Sequence, residues 1–377
     1  MRRALAGLLL LVAGAAAAED PPPKPEGAVR IAVFNTALAE RNPGELVQKL
    51  RLGDGKRSGI VAEIVQLVRP DVLLLLEVDH DSRGVAAALM RDLLREGTRG
   101  AEGIDYPELF AGPVNTGVPS GFDLDGDGRT DGPRDAFGFG HFEGQYGMAL
   151  LSRLPLQRDL IRTFRRVLWA DMPGALLPRD HFGPAADALP LSSKSHWDLP
   201  VSLPDGRVVH LLASHPTPPV FDGPEDANGR RNHDEVRFWV DYVGGADWIA
   251  DDEGRRGGLG RGALWIALGD LNLDPEDGAG RPGALKLLYA LGQDPAPGSE
   301  GGRAAADEGQ TGDPALDTAE WRRPPEGPGA LRVDHVIPSK GLKVVGAGVF
   351  WPAPEDPLSR LVGRAGSDHR LVWVDIR

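Results

Sequence analysis

Residues 264–268 form an apolar run that gives way abruptly to polar side chains. The run has the length and composition of a strand that is buried on both faces, and Gly269 ends it. Asp270 and Asn272 follow two positions apart, so an extended backbone would turn both side chains to the same side. A carboxylate and an amide placed there suit Mg²⁺ or a phosphate group, although they could equally satisfy the backbone of a local turn. The run predicts a buried strand and leaves the role of its polar end open.

Several other predicted strands also carry polar groups at their ends. Alternating or continuous apolar residues predict strands over 29–35, 72–76, 207–214, 331–338 and 371–376. The polar residues at these strands are Asn35, Glu77, His215, Asp334, Asp368 and His369. Each alone has a structural explanation, such as a cap, a turn or a hydrogen-bonded core histidine. Because all these strand ends carry only carboxylates, amides and imidazoles, we expect one shared site at the edge of a sheet.

Asp334 needs a partner wherever the chain places it, because it stands inside an apolar run. An isolated charge in a buried strand costs several kcal/mol unless it is paired or bound to a metal. We therefore expect Asp334 to contact a cationic group or a metal ion.

Helices alternate with the strands in the first part of the chain. Helical spacing of apolar residues predicts helices over 59–68, 85–96 and 284–291, and another that starts near Glu235. The turn Pro204-Asp205-Gly206 separates two alternating stretches and predicts a β-hairpin. The order strand, helix, strand is typical of a layered α/β enzyme.

Seven short segments surround the polar positions, namely Phe34-Asn35, Leu76-Glu77, 147–153, Ser214-His215, 269–272, 332–335 and 367–369. In this order they resemble the endonuclease/exonuclease/phosphatase superfamily, which includes DNase I, and they span nearly all of residues 29–376. The resemblance implies a DNase I-like fold of class α/β, a four-layer sandwich. Its two central sheets would be mixed, mostly antiparallel and flanked by helices. We expect a secreted member of the bacterial type.

The resemblance also implies a metal site and a mechanism. It makes Glu77 the main ligand of Mg²⁺, or of Mn²⁺, with Asn35 beside it. Asp270 and Asn272 would orient the attacking water and hold the phosphate. The implied reaction is hydrolysis of a phosphodiester or phosphomonoester by in-line attack of water.

Two histidines have implied roles on opposite sides of the scissile bond. His369 would stand on the side of the general base, with Asp334 or Asp368 orienting its ring. His215 would stabilise or protonate the leaving group. Which carboxylate pairs with which histidine stays open.

A loop over 123–131 carries alternating carboxylates with Gly128 at the sixth position. This pattern is typical of the front half of a calcium loop, in which glycine permits a sharp turn. Arg134 occupies the twelfth position in place of Glu, so an EF-hand is not expected. We predict a structural Ca²⁺ site, with a solvated acidic loop as the alternative. Its carboxylates are Asp123, Asp125, Asp127 and Asp131.

Arg231 and His233 are candidate phosphate contacts, because they add polar groups to the loop that follows His215. The alternative is a solvated loop in which Asp234 caps the helix that follows.

Arg2 and Arg3 are followed by an apolar stretch that ends in Ala16-Ala17-Ala18, directly before Glu19. This pattern predicts a signal peptide over 1–18, cut after Ala18, and hence a periplasmic or extracellular protein. A Pro-rich leader over 19–28 and one domain over 29–377 would follow, with insertions at about 97–144 and 292–328. The formal net charge of −13 would become −15 once Arg2 and Arg3 are removed. The chain has no cysteine, so no disulfide stabilises it.

These features favour a secreted, metal-dependent phosphoesterase that is monomeric and not inserted in a membrane. The strong negative charge argues against tight binding of polyanions, although a nuclease is not excluded. The substrate stays open among nucleic acids, nucleotides, lipid phosphates and sugar phosphates. The alternative is a calcium-stabilised binding module without activity. A two-metal phosphatase of unrelated fold would need a His-x-His motif or paired aspartate ligands, and the sequence has no His-x-His motif.

Overall fold

The central strands carry apolar side chains on both faces, and this pattern produces a layered molecule. In the computed structural model, which describes residues 21–98, 100–363 and 365–377, β1 (Val29–Asn35) shows it clearly. Ile31 and Val33 face one apolar core, whereas Ala32 and Phe34 face another. Successive side chains of a strand point to opposite faces, so such a strand must be covered on both sides.

Six strands form the first sheet. Besides β1 they are β2 (Val72–Leu76), β3 (Glu108–Phe110), β4 (Met148–Ser152), β12 (Val344–Val349) and β13 (Val372–Ile376). Their order is β12-β13-β1-β2-β4-β3. β1 and β2 are parallel, and the other neighbours are antiparallel.

Five strands form the second sheet, and two more form a separate small pair. The five are β5 (Arg162–Thr163), β6 (His196–Ser202), β7 (Val208–Ser214), β8 (Leu264–Asp270) and β11 (Asp334–Pro338). Their order is β11-β8-β7-β6-β5, with β7 and β8 parallel. The small antiparallel pair consists of β9 (Ala319–Glu320) and β10 (Ala330–Leu331).

Helices cover the outer face of each sheet. The first sheet is covered by α1 (Glu45–Leu52), α2 (Lys56–Val68) and α3 (Val85–Glu96). The second is covered by α5 (Ala227–Val243) and α6 (Gly283–Leu291). Two short helices, α4 (Arg179–Phe182) and α7 (Glu300–Ala305), lie in connections.

Three apolar cores separate these layers. One lies between the two sheets, one between the first sheet and its helices, and one between the second sheet and its helices. Each fully buried leucine, isoleucine or phenylalanine in them contributes roughly 1.5–3 kcal/mol relative to exposure. The predicted fold class, two mixed sheets flanked by helices, is confirmed.

Two predicted elements have different boundaries in the structure. The helix expected near Glu235 begins at Ala227, so Asp234 lies inside it rather than at its cap. The strand expected over 331–338 is two strands, because the backbone turns to other partners at Arg332 and Val333. There Arg332 N donates to Asp274 at 2.7 Å, and the Val333 carbonyl accepts from Leu271 N at 2.8 Å.

The predicted signal peptide lies outside the described residues. Residues 21–28 contain no helix or strand, and Lys24 pairs with Asp71. Within the two predicted insertions the structure has β3 in the first, and α7 and β9 in the second. Across the described ranges, no helix combines the length and the apolar character needed to cross a membrane.

A buried ion pair joins the central strands of the first sheet. Arg30 of β1 donates from Nε and Nη2 to the two carboxylate oxygens of Asp375 of β13, both at 2.8 Å. Both side chains are 2% exposed. Such two-pronged contacts are stronger than single ones, and loss of one partner would leave a buried charge unpaired.

Replacement of Arg30 by Met should lower the free energy of unfolding by about 3–5 kcal/mol, because it strands the Asp375 carboxylate in the core. Urea denaturation followed by circular dichroism measures this value. Arg207→Met is the control, since Arg207 pairs with Asp205 on the surface and its loss should cost about 0.5 kcal/mol or less. Equal effects of the two substitutions would contradict the prediction.

Candidate active site

The carboxyl ends of four strands meet at one edge of the sandwich, termed the site edge here. β1 and β2 are parallel, with Asn35 opposite Leu76, and Glu77 follows β2 directly. In the other sheet β7 and β8 are parallel, so His215 follows β7 beside Asp270, which ends β8. Ligand sites of α/β sheets commonly form where strand ends of this kind come together.

Two antiparallel strands begin at the same edge. β11 opens with Asp334, which pairs in register with Asp270 of β8. β13 runs antiparallel to β1, and His369 shortly precedes it. Ser367 Oγ donates to the Asn35 carbonyl at 2.8 Å and so ties this segment to β1. The structure therefore brings together all the strand ends that the sequence analysis identified.

Asn35 joins the two sheets at the site edge. Its Nδ2 donates to Glu77 Oε1 at 3.2 Å and to Asp270 Oδ2 at 3.0 Å. Glu77 has a φ of 57°, a left-handed conformation that costs about 1–3 kcal/mol in a residue other than glycine. The turn brings the Glu77 carboxylate back to Asn35 rather than along the path of the strand.

His369 forms a buried pair with Asp334. Its Nδ1 lies 2.8 Å from Asp334 Oδ2, and Thr318 Oγ1 donates to the same oxygen at 2.9 Å. Burial acts to lower the pKa of His369, but the carboxylates of Asp334 and Asp270 outweigh it and raise that pKa. The ring is therefore an imidazolium at neutral pH, and Asp334 has the partner that the sequence analysis required.

Asp368 has a different partner. It accepts a hydrogen bond from Trp321 Nε1 at 2.9 Å, and the Trp321 ring packs edge-on against the ring of His369. Of the two carboxylates considered for orienting His369, Asp334 forms the hydrogen bond. Asp368 instead binds Trp321, whose ring packs against His369.

Two histidines converge on one oxygen of Asp270. The Nε2 atoms of His215 and His369 lie 3.4 Å and 3.7 Å from Asp270 Oδ2. Burial acts to raise the pKa of Asp270, but His369, His215 and Asn35 outweigh it and hold that pKa well below its usual range. Burial and the charge of Lys194 lower the pKa of His215, which is therefore neutral at pH 7. One histidine is charged and the other is not, although they flank the same carboxylate.

Asn272 is oriented by its own turn. Its backbone N–H donates to Asp270 Oδ1 at 2.9 Å, and its φ of 51° is left-handed. Its Nδ2 donates to the Pro216 carbonyl at 3.1 Å, next to His215. Asp270 and Asn272 therefore form a local turn and also belong to the site, since the turn itself places the Asn272 amide there.

Lys194 is a residue at the site edge that the sequence analysis missed. It stands two positions before β6 and interacts electrostatically with Glu235, Glu77 and Asp270. Its Nζ lies 3.5 Å from the Pro216 carbonyl oxygen. Lysine is common on surfaces, so a single lysine between serines carries no signal in the sequence.

The first turns of α5 were missed as well. Asn232 Nδ2 donates to the carbonyls of Thr217 and Leu271, at 2.8 Å and 2.9 Å. Glu235 accepts from Ser193 N and from Thr217 N, at 2.7 Å and 2.6 Å. The polar residues before Glu235 hid this part of the helix, because they lack apolar spacing.

Arg231 and His233 form their hydrogen bonds away from Glu77 and Asp270. Arg231 donates from Nε and Nη2 to the carbonyls of Leu191 and Pro190, at 3.0 Å and 2.8 Å. His233 Nδ1 lies 3.0 Å from Asp234 Oδ1. Both residues lie on α5 rather than in a loop, and their polar atoms are engaged by neighbouring chain.

Three carboxylates lie close together in and beside the acidic loop over 123–131, where a Ca²⁺ site is predicted. Oxygens of Asp123, Asp125 and Asp135 lie within 4.8 Å of one another. Asp127 accepts from Arg129 N at 2.8 Å, and Asp131 pairs with the Arg129 guanidinium at 3.0 Å. Asp135, which the sequence pattern did not include, is the buried member of the group.

Comparison with known proteins identifies the family. The sequence profile described as "Endonuclease/Exonuclease/phosphatase family" matches residues 45–369. The chain belongs to the endonuclease/exonuclease/phosphatase family. No curated protein matches it.

Solved structures of endonuclease/exonuclease/phosphatase proteins share the fold. One from Beutenbergia cavernae is 18% identical, with a TM-score of 0.51, and the match covers 93% of this chain and 72% of that one. A family protein from Leptotrichia buccalis is 15% identical, with a TM-score of 0.50 and coverage of 93% and 100%. At such identities the likeness concerns the fold alone.

A divalent cation, which the endonuclease/exonuclease/phosphatase family typically requires, fits the residues at the site edge. Asp270, Asp334 and His369 have atoms of ligand type within 4.8 Å of one another, and the two carboxylates are the members that can bind a cation while His369 is protonated. Asp334 Oδ1 is buried and has no hydrogen-bond partner among the described residues. An unpaired buried carboxylate oxygen calls for an ion or a water, and carboxylate oxygens are the ligands that hard cations prefer.

Asp334→Asn should lower the pKa of His369, because it removes the strongest influence that raises that pKa. Titration of the imidazole resonances by NMR measures the change. The resonances of His196, which is buried against Glu235 of α5, serve as the internal control. A His369 titration that is identical in the wild type and the variant would contradict the assignment of this pair.

Proposed function

We propose that the protein is a divalent-metal-dependent phosphoesterase that hydrolyses its substrate by in-line attack of water. The observation that carries the proposal is the convergence of His215 and His369 on Asp270 Oδ2. His369 is charged and His215 is neutral, so the two rings can play different parts in proton transfer around one carboxylate. A binding module would have no use for this arrangement, whereas acid–base chemistry requires groups whose pKa values are driven apart.

Glu77 and Asn35 would hold the metal ion, and the Asn35 amide links Glu77 to Asp270. When bound, the ion would neutralise charge on the phosphate oxygens. The chain supports this role with a Glu77 carboxylate that turns back to Asn35. We propose that this ion is Mg²⁺ or Mn²⁺.

Asp270 is the best candidate to orient and deprotonate the attacking water. Its carboxylate stays ionised, and Asn35, His215 and the backbone of Asn272 hold it in place. His369 was expected on the side of the base; because the carboxylates of Asp334 and Asp270 raise its pKa, we propose that it donates to a phosphate oxygen. Neutral His215 would act at the leaving group.

We also propose that the protein is exported and that its substrate is not a tightly bound polyanion. The sequence of residues 1–18 supports secretion, and the net charge of −13 disfavours a long polyanion as substrate. A small phosphate ester, or weakly bound nucleic acid, suits a monomeric enzyme of this charge.

Wild-type protein should hydrolyse bis-p-nitrophenyl phosphate or p-nitrophenyl phosphate with Mg²⁺ or Mn²⁺ and lose this activity in EDTA. Glu77→Gln should reduce kcat by about 100-fold or more, since it weakens the hold on the metal ion that would neutralise charge on the phosphate oxygens. Release of p-nitrophenol measures the rate. Glu96→Gln, at the exposed end of α3, is the matched control.

Full turnover by Glu77→Gln would exclude the proposed mechanism, and absence of wild-type turnover on every substrate would favour the binding module. The panel should include plasmid DNA, RNA, sphingomyelin, inositol phosphates and nucleotides. His215→Ala and His369→Ala should each abolish most of the activity on the substrate that is found.

A further inference from the structure

Lys194 is buried although it is a lysine. Only 7% of it is exposed. Lysines are almost never buried unless they are paired, because removal of an ammonium group from water is costly. A lysine in such a position therefore needs an explanation in terms of what it contacts.

Protein contacts do not provide that explanation. The Pro216 carbonyl, at 3.5 Å, is the acceptor for its ammonium, and no carboxylate in the described part of the chain pairs with it directly. An ammonium has three N–H donors. Most of the donor capacity of Lys194 is thus left for a group that is not part of the chain.

The ammonium lies beside the catalytic groups. The Pro216 carbonyl that it approaches also accepts from Asn272 Nδ2, at 3.1 Å, so one oxygen holds the ammonium and the amide next to each other. Burial lowers the pKa of Lys194, while the carboxylates of Glu77 and Asp270 act in the opposite direction and favour the ammonium form. The Lys194 ammonium therefore lies next to the Asn272 amide, which the family resemblance makes a phosphate contact.

α5 fixes this position. Glu235 accepts from the backbone N–H of Ser193, at 2.7 Å, and from that of Thr217, at 2.6 Å. The Glu235 carboxylate thereby connects the segment that carries Lys194 to the loop that follows His215. Asn115 N donates to the Lys194 carbonyl at 2.9 Å and holds the segment from the other side. A donor that is fixed in advance loses little entropy when it binds its ligand.

We infer that Lys194 is a substrate-contacting residue, whose ammonium donates to a non-bridging oxygen of the substrate phosphate together with the Asn272 amide. This inference rests on the proposed phosphoesterase function. Arg231, the cation that the sequence suggested for this role, is bound to backbone carbonyls instead. Lys194 would thus be a second cationic donor at the site, beside the His369 imidazolium.

The first test measures binding of inorganic phosphate without any ester. Calorimetry in the presence of Mn²⁺ should show that Lys194→Met binds phosphate at least about 10-fold more weakly than wild type, since an ion pair to the ligand is lost. Lys340→Met should bind as wild type does, because Lys340 is exposed next to the far end of β11. Equal phosphate affinity of Lys194→Met and wild type would overturn the inference.

The second test separates substrate contact from support of the metal site. Lys194→Met should bind Mn²⁺ as tightly as wild type, and its kcat/KM on the active substrate should fall by about 100-fold. A parallel loss of Mn²⁺ affinity would mean that Lys194 only balances Glu77 and Asp270. Absence of wild-type turnover would remove the proposed function, whereas the phosphate-binding result would still stand on its own.

A third measurement uses the unaltered protein, so it does not depend on the folding of a variant. Acetic anhydride labelling, read by peptide mass spectrometry, should acetylate Lys194 more slowly when phosphate and Mn²⁺ are present than with Mn²⁺ alone. Lys340 should react equally in both conditions. Unchanged labelling of Lys194 would overturn the inference.

Discussion

Two buried carboxylates lie opposite each other where β8 and β11 pair, and the site depends on how their charges are compensated. Asp270 and Asp334 are partners in the antiparallel register. Like charges at such a distance in a dry environment would force one of them to take up a proton. His369 relieves this repulsion, because its Nδ1 contacts Asp334 and its Nε2 points to Asp270. Burial still raises the pKa of Asp334 to about 6, while His369, His215 and Asn35 hold the pKa of Asp270 well below its usual range and keep it ionised.

Uncharged groups also stabilise the carboxylate of Asp270. Asn35 and the Asn272 backbone each donate to it, and neutral His215 lies within contact. The segments that carry these groups are in turn held by α5, whose residues Asn232 and Glu235 lie three apart and thus on one face of the helix. The same helix packs its apolar face, including Phe238 and Trp239, on the second sheet. Packing of the core and positioning of the site are therefore coupled through one helix.

Predictions from the sequence succeeded where local periodicity is strong. β1, β2 and α3 have the predicted boundaries, because apolar residues in them follow a clear period. The start of α5 was wrong by eight residues, since its first two turns contain glycine and charged residues and face polar loops rather than the core. Arg231 and His233 were interpreted as loop residues for the same reason, and the helix turned them toward backbone carbonyls and Asp234.

The layered fold and the six strand ends with polar side chains could be predicted from the amino-acid sequence, because alternation and strand order follow from short-range spacing. The pairing of those polar groups depends instead on contacts between distant parts of the folded chain. Asp334 rather than Asp368 holds His369, since strand register brings together residues that are far apart in the chain. The burial of Lys194 beside Asn272 was likewise decided by tertiary structure, because it depends on three loops that α5 draws together. No spacing along the chain encodes a contact of this kind.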